Sequence, residues 1–362
     1  MIIYLLNSFD LSFPGSGLFN YLTFRAGCSI ITSFLIVLLI GPKFVRFMKL
    51  KQREGQPIRS DGPPSHLISK RGTPSMGGIL ILIALVLSTV LWADVFNNYI
   101  WIVLISVLGF GLIGFVDDYK KIIEQSSSGI SWRKKIFFQI LLSLIILYLF
   151  SVTLPQNIRF SIFSPFIDGP ILSGFLIFYI FSSCVLIGSS NAVNLTDGLD
   201  GLAIVPVMIA VASFALIAYL SGNIIFSQYL GLIHIPNTGE LAILCCALLG
   251  SGLGFLWFNA PPAMIFMGDT GSLSLGALLG SVSIATKHEL VLFIIGGLFV
   301  FEALSVIIQV ISFRLFGRRI FMMAPLHHHF EQKGWSEPTI VIRFWIIAFI
   351  LALIGLSTLK LR

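Results

Sequence analysis

The sequence predicts an all-α, polytopic integral membrane protein with about ten transmembrane helices, both termini periplasmic and the candidate functional site at the cytoplasmic face. Three observations lead there. Hydrophobic residues make up 56% of the 362 positions and charged residues only 11%, with 33 Phe and a mean hydropathy of +0.97, outside the range of soluble domains. Apolar stretches of about 15 to 25 residues recur along the whole chain, and a helix needs about 20 to cross the hydrocarbon core. Lys and Arg, finally, gather on alternate connections between those stretches.

In chain order the spans fall at 26–45, 76–93, 99–116, 136–153, 172–189, 201–220, 239–256, 273–286, 290–313 and 340–358. The eighth is short and rich in Gly, Ser and Ala, the weakest of the set. No basic residue precedes Arg25 and no basic run leads into a short apolar core, so insertion is expected from the helices themselves rather than a signal peptide. Segment 42–75 carries eight of the 23 basic residues, 117–135 five and 314–343 five. Alternation puts these connections on one face, and the orientation rule makes that face cytoplasmic. With no long polar insert, 1–362 reads as a single membrane domain. Cys28, Cys184, Cys245 and Cys246 lie within or at the ends of apolar runs without C-x-x-C spacing, as expected of buried structural thiols.

Five polar motifs share the cytoplasmic connections: QREGQPIRSDGPPSHLISKRGTPSMGG (52–78), DDYKK (117–121), NAVNLTDGLDG (191–201), FNAPPAMIFMGDTGS (258–272) and APLHHHFEQKGWSEP (324–338). Their convergence on one face points to one site. Lys70 and Arg71 adjoin a Gly-rich helix entry whose amides can meet an anion. Asp117 and Asp118 end an apolar span, where carboxylates are expensive to keep; about 100° apart on a helix, they can serve two partners. Asn191, Asn194, Asp197 and Asp200 recur every third position, a spacing suited to Mg²⁺, a sugar, a base edge or a plain turn. In the fourth motif Pro261 and Pro262 end a helix after Asn259, and Gly268, Asp269, Thr270, Gly271 and Ser272 open another, with Ser272 expected as its N-cap. Asp269, the lone charge of its neighbourhood, looks like a ligand for a hard cation. His327, His328 and His329 are consecutive, which suits imidazoles beside an anion better than a zinc site. Glu302 and Gln309, on one stripe of the ninth span, suit pairing within the bundle. Carboxylates for a divalent cation, lysines for anions and a helix start for phosphate together suit transfer of a phosphorylated group. No Walker motif occurs.

VDDYKK, NAVNLTDGLDG, FNAPPAMIFMGDTGS and APLHHHFEQKGW, with SKRGTPSMGG near the start, closely resemble the phospho-N-acetylmuramoyl-pentapeptide transferase family over nearly the whole chain. The resemblance implies transfer of phospho-N-acetylmuramoyl-pentapeptide from UDP-N-acetylmuramoyl-pentapeptide to undecaprenyl phosphate in the bacterial inner membrane, giving lipid I and UMP with Mg²⁺ as cofactor. It assigns the catalytic set to Asp117, Asp118, Asp269 and His327, with Asp269 holding the metal. Substrate binding falls on Lys70, Ser75, Lys121, Asn191, Asn194, Asp197, Asp200, Asn259, Phe266, Gly268, Ser272, Gln309, His328 and His329. Ser75 departs from the family's usual threonine but keeps the hydroxyl. Expected partners are the two substrates and membrane lipid, with no nucleic acid; a homodimer is left open. Two alternatives stand beside this reading: a related polyprenyl-phosphate transferase using UDP-N-acetylglucosamine, and an ion-coupled transporter, whose charges should instead sit near the bilayer midplane.

Overall fold

The computed structural model describes residues 1–2, 4, 16–52, 55, 70, 72–126 and 128–360. Arg53, Arg59, Arg71 and Ser127, with most of the first polar motif, lie outside the described residues.

Ten long helical elements follow the ten predicted spans one for one. They are α1 (Leu22–Lys51), α2 (Gly78–Trp92), α3 (Asn98–Ile123), α4 (Trp132–Thr153), α5 (Phe175–Thr196), α6 (Ile204–Gly222), α8 (Leu241–Asn259), α9 (Gly268–Thr286), the pair α10 (Glu289–Ile295) and α11 (Gly297–Phe316), and α13 (Glu337–Ser357). Among the described residues, the short helices α7 (Ile224–Leu230) and α12 (Leu326–Gln332) join them. Eight of the helices among the described residues are long and apolar enough to cross a membrane. The exceptions among the ten have physical reasons. The 15 residues of α2 make a helix of about 22 Å, entered through residues 73–76, which belong to no helix or strand. In α9, every residue from Thr270 to Thr286 is buried, so it never has to satisfy lipid and can be built from Gly, Ser and Ala. This is the eighth span, the weakest in sequence, and it is the hub that α2, α3, α5 and α6 pack around.

Small residues set that packing. A Cβ on Gly78 would overlap the backbone of Gly271, and one on Gly114 the backbone of Asp269, so α2 and α3 both touch the start of α9 backbone to backbone. Serines then bond across the contacts: Ser281 Oγ to Ser106 Oγ at 2.7 Å, and Ser190 Oγ to the Leu273 carbonyl at 2.9 Å. Large apolar side chains such as Leu39, Trp257 and Leu353 stay exposed on the outside, where a hydrocarbon environment solvates them.

Three expectations need correction. Residues assigned to connections are helical: α1 runs on through Pro42 to Lys51, taking in part of the basic segment 42–75, α3 carries DDYKK in its last turns, and α5 carries 191–196. The ninth span is broken at Gly296, where α10 ends and α11 begins. Cys184 is exposed and Cys28 and Cys246 half-buried; only Cys245 is a buried thiol, and none of the four is paired.

The opposite end of the bundle carries two features the hydropathy pattern does not announce, α7 and an antiparallel hairpin of β1 (Ser161–Phe163) and β2 (Pro170–Ser173). Lys287, just past α9, donates to the carbonyls of Arg159 and Ser161 and so ties the hairpin to the hub. Nearby on that end, Arg25 grips Glu240 through two hydrogen bonds of 2.8 and 2.6 Å.

Candidate active site

A helix start leaves its first amides without intrahelical partners, and α9 solves this with a carboxylate from another helix. Asp118 Oδ1 accepts from the Asp269 amide at 3.1 Å, while Oδ2 accepts from the Thr270 amide at 2.9 Å and the Thr270 hydroxyl at 2.7 Å. A buried anion at a helix N-terminus is favoured by both hydrogen bonding and the helix dipole. This fixes Asp118 and aims the next side chain, Asp269, across the same mouth.

Asp117 faces the other way. Its Oδ1 accepts from the Ile130 amide at 2.7 Å, and Oδ2 lies 2.6 Å from Lys121 Nζ, one helical turn on. Asp269 Oδ1 accepts from Asn194 Nδ2 at 2.9 Å and stands 3.3 Å from Lys121 Nζ, and its Oδ2 pairs with Lys135 Nζ. Carboxylate oxygens of Asp117, Asp118 and Asp269 all lie within 4.8 Å of one another. Three carboxylates so close repel unless cations stand among them, and here two ammonium groups do. The donor set, all carboxylate oxygens at one mouth, fits a hard divalent cation.

Gly268 makes the approach possible: its φ is +73°, and a Cβ there would lie 2.6 Å from Asp118 Oδ2 and 2.7 Å from Ser75 Oγ. Ser75 itself is held by Gln52, whose side chain accepts from its amide and donates to its carbonyl. Ser272 is not the N-cap that sequence suggested. The helix begins four residues earlier, so Ser272 Oγ donates back to the Gly268 carbonyl at 3.0 Å and receives Asn194 Nδ2 at 2.8 Å.

Beside the acidic centre lies a second group of charges. Lys70 Nζ is 3.0 Å from Asp200 Oδ1, 2.8 Å from Glu337 Oε1 and 5.9 Å from the centre of the Phe266 ring. Burial alone would lower the Lys70 pKa; the charges of Asp200 and Glu337 outweigh it and hold the ammonium above its ordinary range. Asp200 Oδ2 accepts from the Ala263 amide at 2.9 Å, and Asn259 bridges the Gly201 amide and the Ile265 carbonyl. Asp197, just beyond α5, has its carboxyl pushed up to about 7, first by burial and then by the charges of Asp269 and Asp118.

The remaining sequence candidates are scattered. Asn191 donates to Gln139 Oε1 and the Ile187 carbonyl, linking α5 to α4. His327 is buried, with Nδ1 3.2 Å from Glu302 Oε2 and its ring against Gly198, where no Cβ would fit. His328 pairs with Glu331 at 2.6 Å, and His329 Nδ1 accepts from the Met322 amide. Gln309 spends its amide on the backbone of Ile320 and Phe321, so it and Glu302 hold different partners rather than each other. Lys135, Thr270 and Glu337 take part in the site and were not singled out from sequence. A basic residue on a cytoplasmic connection, and a hydroxyl or carboxylate at a helix start, look ordinary there.

The fold and this acidic mouth define a membrane-embedded transferase, and comparison with known families agrees. A family model described as glycosyl transferase family 4 matches residues 100–287, just over half of the chain and including Asp117, Asp118, Asp197, Asp200 and Asp269. The chain belongs to that family. A signature described as phospho-N-acetylmuramoyl-pentapeptide-transferase signature 1 matches residues 70–82, from Lys70 through the Gly77–Gly78 contact, and sets it among the transferases that form lipid I.

Proposed function

We propose that the whole chain, 1–362, acts as one transferase domain that takes UDP-N-acetylmuramoyl-pentapeptide and undecaprenyl phosphate, with Mg²⁺, at the cytoplasmic face of a bacterial inner membrane. The family supports a nucleotide-sugar donor and a polyprenyl-phosphate acceptor. The observation that carries the reading is the meeting of Asp117, Asp118 and Asp269 within 4.8 Å, beside Lys121 and Lys135.

Asp269, assisted by Asp117, would hold Mg²⁺, which when bound supplies positive charge against the donor diphosphate. Asp118 holds the start of α9, and with it Asp269, in register. Lys121 and Lys135 offset negative charge that builds on the phosphoryl oxygens, and Asn194 fixes the Asp269 carboxylate. Lys70, Asp200, Asn259 and Phe266 form the nucleotide side of the site. His327 supports the turn at Asp197 and Gly198 from below.

A phosphate monoester has its second pKa near 6, so the lipid phosphate is already mostly a dianion at about pH 7 and gains little from a general base. Its oxygen attacks the sugar-side phosphorus directly; a new P–O bond forms, the bridging P–O bond breaks, and UMP leaves with that oxygen. The purified protein, given both substrates, should release UMP only with Mg²⁺ present, and Asp269→Asn should cut turnover by orders of magnitude. Near-normal turnover of that variant at an unchanged Mg²⁺ optimum would overturn the assignment.

A further inference from the structure

Glu337 is the first residue of α13, a 21-residue helix, at the end of the fifth polar motif and far in sequence from the acidic residues and from Lys70. Its Oε1 nevertheless joins two of them. It lies 2.8 Å from Lys70 Nζ and accepts from the Asp200 backbone amide at 2.9 Å. Lys70, Asp200 and Glu337 are all largely shielded, with side-chain exposures of 10%, 10% and 25%. Two carboxylates around one ammonium is more than neutralisation needs, so the arrangement calls for another reason than charge balance.

That reason is geometric. An ammonium on a four-carbon stem has three N–H groups and many rotamers, and a single carboxylate leaves it free to swing. Asp200 sits on a turn, and its second oxygen is occupied by the Ala263 amide. Glu337 is rooted in the first turn of a helix, where the dipole favours its charge. Among the described residues Glu337 alone accepts a hydrogen bond from Lys70, while Asp200 Oδ1 faces the ammonium at 3.0 Å as an ion pair, which leaves N–H capacity for an oxygen of a bound molecule beside the Phe266 ring.

We propose that Glu337 is a positioning residue for the donor nucleotide, fixing the Lys70 ammonium and the Asp200 turn together so that Lys70 meets the nucleotide from one defined position. This rests on the reading that Lys70 and Phe266 contact the nucleotide. It predicts that Glu337 acts on donor binding and leaves the acidic centre, and hence the chemical step, alone.

The test uses the full-length protein and four variants, Glu337→Gln, Glu337→Ala, Lys70→Ala and Lys70→Ala with Glu337→Ala. For each, kcat and KM for the donor, KM for the polyprenyl phosphate and the inhibition constant of UMP are measured, with thermal melting to establish folding. Glu337→Gln keeps the shape and serves if Glu337→Ala does not fold. The expected result is a rise of about tenfold in donor KM and in the UMP constant alike, with kcat within about threefold and the acceptor KM unmoved. On the Lys70→Ala background the Glu337 effect should vanish, because the pair acts as a unit. Unchanged donor KM in Glu337→Gln, or effects of Lys70 and Glu337 that add independently, would overturn the inference while leaving the nucleotide pocket intact. Lys70→Ala with unaltered UMP inhibition would instead remove the pocket reading itself, and this inference with it.

Discussion

Asp117 and Asp118 are neighbours in sequence with different work to do, and their partners say which. Asp118 accepts three hydrogen bonds that hold the start of α9, whereas Asp117 accepts one amide and meets Lys121 and Lys135. Asp118→Asn is therefore expected to lower both the melting temperature and turnover, at about 1 kcal/mol or more for a lost cap. Asp117→Asn should lose turnover with little change in melting. Direct attack by the lipid also predicts no exchange of labelled UMP into the donor without acceptor; exchange that vanishes in Asp117→Asn would mean a covalent intermediate. Asp197 gives a pH test. Its raised pKa means that the ionised form opposes folding above about pH 7 and that the penalty fades as pH falls towards the unfolded value. Asp197→Asn should raise the melting temperature at about pH 8 and raise it by less at about pH 5, and an equal rise at both would contradict this. At this scale sequence revealed the residues that are costly to keep in an apolar chain, Asp117, Asp118 and Asp269. Lys135 and Glu337 were hidden because their residue types are expected where they stand, and only tertiary contacts separate them from their neighbours.

Among the elements, α9 decides how tightly the site is assembled. Its buried stripe of Gly and Ser lets α2 and α3 reach its backbone, which brings Ser75, Asp118 and Gly268 together. Gly78→Ala would force a methyl into the backbone of Gly271 and is expected to destabilise the protein by roughly 1 to 3 kcal/mol, read as a lower melting temperature in detergent. Gly27→Ala, where the added Cβ meets nothing within 4 Å, should melt as the parent does. Equal behaviour of the two would show that close backbone contact is not what holds α9. Hydropathy reads contact with lipid, so it registers α1, α3 and α13 clearly and underrates a helix that touches only other helices. The same limit explains why DDYKK read as a connection: the charges mark where α3 leaves the apolar layer, while the helix continues to Ile123.

For the whole molecule, the ten helical spans were legible as apolar runs, eight of them, among the described residues, long and apolar enough to cross a membrane, while the sides rest on the basic residues as an expectation. The hairpin at 161–173 and α7 were not, since short elements at a membrane surface carry no such constraint. The orientation makes a direct prediction. In a background without the four native cysteines, exposed Ser128→Cys and Ser336→Cys should react only from the cytoplasm and Asp168→Cys only from the opposite side. Labelling of Ser128→Cys from outside would invert the assignment of faces. The central claim is that three carboxylates and two lysines at one mouth carry out Mg²⁺-assisted transfer to a lipid phosphate. Its most direct test is UMP release by the purified protein from UDP-N-acetylmuramoyl-pentapeptide and undecaprenyl phosphate, titrated with Mg²⁺, for the parent and Asp269→Asn. The account predicts Mg²⁺-dependent release by the parent, falling at least about a hundredfold in the variant. Release that is independent of Mg²⁺, or that survives Asp269→Asn at the parent's rate, would contradict it.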